Sequence, residues 1–322
     1  MTLGNPDRPV GGLAVPTPAG VELRPIGRDD FEVALALARE LYALPQSEAE
    51  PHRASFEALV GDVDAASFLA VADGAPAGLV LLRFRRRLNH ATFEGWISDL
   101  VVPESFRRRG IGRALLMAAI AEWRLRRGHQ ITLEVAYQRS AARALYESLG
   151  FEEAGKYFEI APVATRGVGR QQGLEIRPIV DDDGDFAATT RLLAELGRPA
   201  PSDERMPAVR RTYAQHVRRT DTASLLALAA GEPIGFCSIE VRRPFYMTRP
   251  QIWIPDLIVT EAARGRGAGA ALLDAAFAVA RERDAYAVAL ESGGHRAVAH
   301  RLYAAAGMAE VGSFYVLRAD RG

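Results

Sequence analysis

Apolar residues recur at three- and four-residue spacing in Phe31, Ala34, Leu35, Ala38, Leu41 and Tyr42, a stripe that predicts a helix opening at Asp29 or Asp30, both good capping residues. A second stripe, Leu115, Leu116, Ala119, Ile120 and Trp123, predicts a helix ending at Arg126, Arg127 and Gly128, where basic charge and a glycine suit a helix C-terminus. Short apolar runs lie between them, and Asp73-Gly74 and Ala230-Gly231 part such runs as hairpin turns do. DLVV and DLIV read as short buried strands, each stopping at a loop of arginine and glycine. Each half of the chain thus reads strand, one or two helices, two or three strands, helix, strand, helix, strand. That pattern is mixed α/β.

The two halves are copies. Residues 68–158 align with 225–315 without gaps at a constant shift of 157. WISDLVV answers WIPDLIV, and the starting strands VELRPI at 21 and LEIRPI at 174 repeat at a shift four residues smaller, which places the length difference in the early helical region. APVATRGVGRQQG, 161–173, has several glycines and little apolar periodicity. The expected organisation is a flexible segment over 1–20, a domain over 21–160, a linker over 161–173 and a domain over 174–322, which suits 322 residues of 48% apolar composition.

Zero formal charge and a pI near 7 provide no electrostatic reason to seek nucleic acid or an anionic membrane. The Pro- and Gly-rich start has neither a signal core nor a run of about twenty apolar residues. Cys237 is the only cysteine, so no internal disulfide or cysteine-held metal is expected, and a reducing compartment, the cytoplasm, is inferred. His90, His129 and His300 have no repeat counterpart of matching type and His295 aligns with Gln138, so no metal site is expected.

The chemistry starts at FRRRGIGRALL, 106–116, echoed by RGRGAGAALL from Arg264. A strand that stops, turns through glycines and opens a helix leaves backbone N–H groups unpaired at the positive end of a helix dipole, which makes an anion cradle. Gly110 and Gly112 allow the tight turn and the approach of a phosphate. The arginines add forked donors. A surface turn with solvated arginines competes for any single such loop, and repetition in both halves favours the cradle. No Lys-Ser or Lys-Thr follows, as a Walker loop requires, and Leu115 stands where a dinucleotide fingerprint has its third Gly or Ala.

Arg107-x-x-Gly110-x-Gly112 and Arg264-x-x-Gly267-x-Gly269 resemble the acetyl-CoA loop of the GNAT superfamily of N-acetyltransferases. Ala142-x-x-Leu145-Tyr146-x-x-x-Gly150-Phe151 and Ala299-x-x-Leu302-Tyr303-x-x-x-Gly307-Met308 are similar to its second signature. The resemblance implies two GNAT folds in tandem, each a mostly antiparallel twisted sheet flanked by helices and splayed between WISDLVV and ITLEV, or WIPDLIV and VALES. It implies that Leu100, Val101 and Val102, and Leu257, Ile258 and Val259, pair through their backbones with the pantetheine of acetyl-CoA. The pyrophosphate would lie on Arg107, Arg108, Arg109, Gly110, Ile111, Gly112 and Arg113, and on Arg264, Gly265, Arg266, Gly267, Ala268, Gly269 and Ala270. Tyr146 and Tyr303 would protonate the leaving thiolate, although their spacing also suits a packed helix face. The sequence departs from the family at Arg139 and Arg296, where many members have Asn; an arginine there is long enough to reach a phosphate instead.

Asp99 and Asp256 each stand one residue before the cleft segment, where a carboxylate either relays an amine proton or anchors a cationic amine. Glu134 and Glu291 on the next strand are second candidates, as substrate anchors or surface pairs. Arg85-Arg86-Arg87, partly echoed by Arg242-Arg243, reads as a solvated hairpin, with contact to an acidic group on the acceptor as the competing account. The expected function is acetyl-CoA-dependent N-acetylation of a primary amine on a small polar molecule; FRRRLNHATFEGWISDLVV resembles aminoalkylphosphonate and aminoglycoside N-acetyltransferases. The alternatives are one catalytic half with one acyl-CoA-binding or structural half, and a protein lysine or N-terminal acetyltransferase. Oligomeric state, including a monomer whose halves pack as a pseudo-dimer, is left to the tertiary structure.

Overall fold

The computed structural model describes residues 15–42, 50–88, 90, 92–162 and 173–319. The expected linker and the first fourteen residues of the expected N-terminal segment fall outside these, apart from residues 161, 162 and 173. The first half runs β1 (Val21–Pro25), α1 (Phe31–Tyr42), α2 (Glu50–Gly61), β2 (Phe68–Ala72), β3 (Ala75–Arg86), β4 (Phe93–Val101), α3 (Ile111–Leu125), β5 (Gln130–Ala136), α4 (Ser140–Glu147) and β6 (Glu152–Ile160). The second runs β7 (Leu174–Pro178), α5 (Asp183–Glu195), α6 (Met206–Arg218), β8 (Leu225–Ala229), β9 (Glu232–Cys237), β10 (Glu240–Arg242), β11 (Gln251–Trp253), β12 (Leu257–Val259), α7 (Ala268–Glu282), β13 (Ala287–Gly293), α8 (Ala297–Ala305) and β14 (Ala309–Arg318).

Local chemistry accounts for the elements. Asp73 and Gly74 have φ of 54° and 74°, and Ala230 and Gly231 50° and 82°, the paired left-handed residues of a hairpin turn matched to strand twist. Asp30 fixes the entry to α1 by accepting from Gly27 N at 2.7 Å while Arg24 grips both its oxygens at 2.6 and 2.7 Å. The second half repeats the grip with Arg177 and Asp185. Leu115, Leu116, Ala119, Ile120 and Trp123 of α3 are all buried in the first sheet–helix core, as their stripe predicts.

The strands do not stay with their own halves. One sheet runs β1-β2-β3-β4-β5-β14-β6-β13-β11-β10, and the other β12-β9-β8-β7. The last strand of each half therefore completes the sheet of the other: β14 pairs with β5, and β6 with β13. Gly155 and Gly312, equivalent through the repeat, stand where the exchanged strands come closest. A Cβ on them would lie 2.1 Å from Ser292 O and 2.3 Å from Val135 O, so both positions exclude a side chain.

Loops are exchanged as well. Leu88, after β3, joins the core of Leu192, Leu193 and Tyr213 in the second half, while Phe245 and Tyr246, after β10, join the core of Phe31, Leu35 and Phe56 in the first. On the pseudo-twofold axis the Arg85 guanidinium lies 3.8 Å from the Trp253 ring and that of Arg242 lies 3.9 Å from the Trp96 ring. The solvated-hairpin reading is thereby corrected for Arg85, Arg87 and Arg242: their side chains are 9%, 7% and 6% exposed. Only Arg86 and Arg243 are in solvent. Planar guanidinium groups stack on indoles and are weakly hydrated, which suits them to this seam.

Candidate active site

Strand divergence makes the cleft. β4 and β5 pair in parallel from Glu94↔Gln130 to Ile97↔Leu133 and then part, while β4 stays on β3 as far as Val101↔Leu79. The edge from Ser98 through Leu100 and Val101 is left facing a gap. In the second half β11 pairs with β13 only over Gln251–Trp253, and β12, carrying Leu257, Ile258 and Val259, leaves with β9 for the other sheet.

Each glycine loop follows the strand that leaves its neighbour, β4 in one half and β12 in the other. Arg108 and Gly110 have φ of 62° and 78°, and their counterparts Gly265 and Gly267 have 76° and 75°. The first helical hydrogen bonds close only at Ala114 N→Gly110 O and Ala271 N→Gly267 O, so the N–H groups ahead of them point out of the helix. The second glycine has a packing duty: a Cβ at Gly112 or Gly269 would meet Leu145 or Leu302 of the next helix at 3.4 or 3.2 Å. Arg107 and Arg264 tie each loop to its strand by donating to Val102 O and Val259 O at 3.2 and 3.3 Å. Arg109 pairs with Asp73 and Arg113 donates to Ser148. Open amides over a cleft suit a pyrophosphate attached to a strand-like arm, so the residues fit acetyl-CoA. Changing Gly110 to Ala, at φ +78° and with Pro18 Cγ 3.0 Å from the new carbon, is expected to cost about 1–2 kcal/mol and to weaken acetyl-CoA binding measured calorimetrically. Unaltered affinity would argue against the loop as the pyrophosphate site.

Arg139 and Arg296 each reach a backbone carbonyl. Each donates to the C-terminal end of the first helix of its half, Arg139 to Leu41 O at 3.1 Å and Arg296 to Leu196 O at 2.7 Å. Both pin that helix beside the cleft.

Tyr146 and Tyr303 are buried on α4 and α8, 7% and 5% exposed. Tyr146 packs on Phe151 and Tyr315 and also lines a cavity of about 1300 Å³ that holds Asp99 and Glu134. Burial pushes both phenols up to about 12, so each keeps its proton at neutral pH.

The two aspartates have diverged. Asp99 is 5% exposed and accepts from Tyr42 at 2.6 Å, Tyr246 at 2.7 Å and Ser98 at 2.7 Å. Burial raises its pKa, which the three hydroxyls only partly offset. Asp256 accepts instead from Arg198 Nε at 2.9 Å and Ser238 at 3.1 Å, with Arg87 Nη1 at 3.9 Å. Burial opposes its charge too, but the guanidinium groups prevail and hold it below the ordinary carboxylate range.

Glu134 and Glu291 face one another across the pseudo-axis and accept from Trp96 Nε1 at 2.8 Å and Trp253 Nε1 at 2.7 Å. Burial and the opposing Glu291 carboxylate raise Glu134, while Arg242, 3.5 Å from Glu134 and 3.3 Å from Glu291, favours the charged form of both. The surface-pair reading is corrected. Sequence reasoning passed over Tyr42, Ser98, Tyr246 and Arg198. Tyr42 and Arg198 lie where the repeat changes its shift, and Tyr246 aligns with Asn89, so mismatch between the copies was their only signal.

The diverging strands and the glycine loop that follows them form one architecture, present twice. The family model of the acetyltransferase (GNAT) family matches residues 32–151 and 189–308, and the chain belongs to that family. An N-alpha-acetyltransferase of Sulfurisphaera tokodaii is 32% identical over 29% of the chain and 59% of that protein. A [ribosomal protein bS18]-alanine N-acetyltransferase of Salmonella typhimurium is 46% identical over 19% of the chain and 41% of that protein. The chain thus spans about half the length of these curated relatives. Two solved structures share the fold along nearly all of it. A GCN5-related N-acetyltransferase from Sphaerobacter thermophilus superposes with TM-score 0.62 at 22% identity, covering 94% of this chain and 97% of its own. A tandem GNAT protein from the clavulanic acid biosynthesis pathway has TM-score 0.59 at 18% identity, covering 94% and 99%. Among the described residues no helix is long and apolar enough to cross a membrane, and no group of three potential ligands is placed to hold a metal ion.

Proposed function

We propose that the first half transfers the acetyl group of acetyl-CoA to a primary amine on a small polar molecule. One observation carries the reading: Asp99, hydrogen-bonded by three hydroxyls where Asp256 is held by a guanidinium, shares a cavity of about 1300 Å³ with Tyr146. Acetyl-CoA supplies a thioester carbonyl to the cleft. Asp99 takes a proton from the incoming ammonium, because a raised pKa brings a carboxylate closer to the amine it must deprotonate. Backbone N–H groups of the Leu100–Val102 edge point at the developing oxyanion. Tyr146, protonated at neutral pH, supplies the proton that the leaving thiolate requires. Lining groups Arg83, Glu134, Glu159, Tyr157 and Arg242 place charged and polar atoms in the cavity beside its apolar walls, which suits a polar acceptor.

The second half reads as an acyl-CoA-binding partner rather than an equal catalyst. Its loop and Tyr303 are kept, yet Asp256 is held by Arg198, so it has no ready capacity to take a proton. Acetyl-CoA turnover across ethanolamine, 2-aminoethylphosphonate, glucosamine and an alanyl peptide tests the assignment. Turnover of a small amine is expected, with the acid limb of kcat/KM above the usual carboxylate range, since only ionised Asp99 accepts a proton. Turnover of the peptide alone would transfer the reading to protein N-termini, the substrate class named for the bS18 relative.

A further inference from the structure

We infer that Tyr246, carried on the loop between β10 and β11 of the second half, is a positioning residue for the first half's reaction, holding Asp99 in the orientation that receives the amine proton. The inference rests on the base role proposed for Asp99 and adds a residue that the repeat does not carry. Tyr246 is 7% exposed and donates to Oδ1 of Asp99 at 2.7 Å. Tyr42 donates to the same oxygen at 2.6 Å, and the two rings stack with centroids 4.6 Å apart at 19°. Oδ1 is thereby filled. Among the described residues Oδ2 accepts from Ser98 Oγ alone, so it is the oxygen with a lone pair left for an amine proton.

The delivery of Tyr246 is built rather than incidental. Phe245 beside it wedges onto Phe56 at 5.3 Å between ring centroids, and its carbonyl meets His52 Nδ1 at 3.0 Å. The loop is thus fastened to α2 of the other half by an aromatic anchor and a buried hydrogen bond. The reciprocal loop, after β3, brings Arg87 to within 3.9 Å of Asp256. Each half therefore sets the other's carboxylate, with a phenol in one direction and a guanidinium in the other. The repeat partner of Tyr246 is Asn89, so the divergence lies in the exchanged loops themselves.

Removing the phenol hydroxyl takes away a donor that favours the charged carboxylate, so Asp99 becomes harder to ionise. The other groups facing it are Tyr42 on α1, Arg83 on β3, Tyr146 on α4 and Tyr286 before β13; Tyr246→Phe keeps every one of these side chains and removes only the hydroxyl that Tyr42 and Asp99 share. The test uses the full chain with 13C-labelled aspartate carboxyls, the Asp99 resonance assigned by its loss in Asp99→Asn. In Tyr246→Phe the Asp99 titration is expected to move up by about one pH unit, and the acid limb of kcat/KM for the best amine of the panel to move with it. Thermal melting confirms that the variant is folded. An unmoved titration overturns the positioning role even if kcat falls, since a merely structural residue would act that way. Should Asp99→Asn instead turn over at the wild-type rate, the base assignment itself fails, a result distinct from an Asp99→Asn variant that loses at least tenfold beside an unaltered Tyr246→Phe.

Discussion

Replacing Tyr146 by Phe lowers kcat for amine acetylation by about 100-fold, the ordinary worth of a positioned general acid, while the KM for acetyl-CoA moves less than about twofold. The change deletes one oxygen and keeps the ring that packs against Phe151 and Tyr315. Stability should therefore alter by no more than about 1 kcal/mol, and a lost rate cannot be blamed on a lost fold. Because burial holds this phenol near 12, the wild-type profile has no basic limb from Tyr146 at physiological pH. The assay is steady-state release of CoA thiol with the amine varied. A fall smaller than about threefold would remove Tyr146 from the chemistry, and an equal fall for Tyr303→Phe would show that the second half turns over too.

Deleting residues 309–322 abolishes the fold of both halves, not only of the second. β14 lies between β5 and β6, so its loss opens two strand edges at once. Tyr315 and Val316 are 1% and 2% exposed, and burying two such side chains is worth about 3–6 kcal/mol. That alone approaches the net stability of an ordinary domain, about 5–15 kcal/mol. The expected result is a chain without a cooperative thermal transition and without acetyl-CoA binding at either loop, read by calorimetry and circular dichroism. Separate expression of 1–162 and 173–322 should fail likewise, and mixing the two pieces should restore the transition. A truncated chain that melts as the full one does would show the exchange to be dispensable.

Much of the site could be read along the chain because its signals are local. A glycine at a left-handed turn, an arginine next to it and a tyrosine four residues after an alanine on a helix keep their spacing whatever surrounds them, and the repeat doubled each signal. The strand divergence at Ser98 was legible through the family pattern. Asp99 and Asp256 were legible as equals, and the structure made them unequal. Their difference rests on Tyr42, Tyr246 and Arg198, contributed from 57, 147 and 58 residues away, and no periodicity encodes a contact at such separations.

The amino-acid sequence by itself determined the two copies, their helices and hairpins, the amide loops and the paired tyrosines, since each depends on backbone preference and side-chain spacing within about twenty residues. Only the tertiary structure decided that the last strands and the β-hairpin loops trade places, that Arg85, Arg87 and Arg242 are buried against tryptophans, and that one aspartate is neighboured by phenols and the other by guanidinium groups. Strand pairing and burial are settled by which surfaces meet. Two copies of one pattern offer each strand two chemically similar partners, and packing makes the choice.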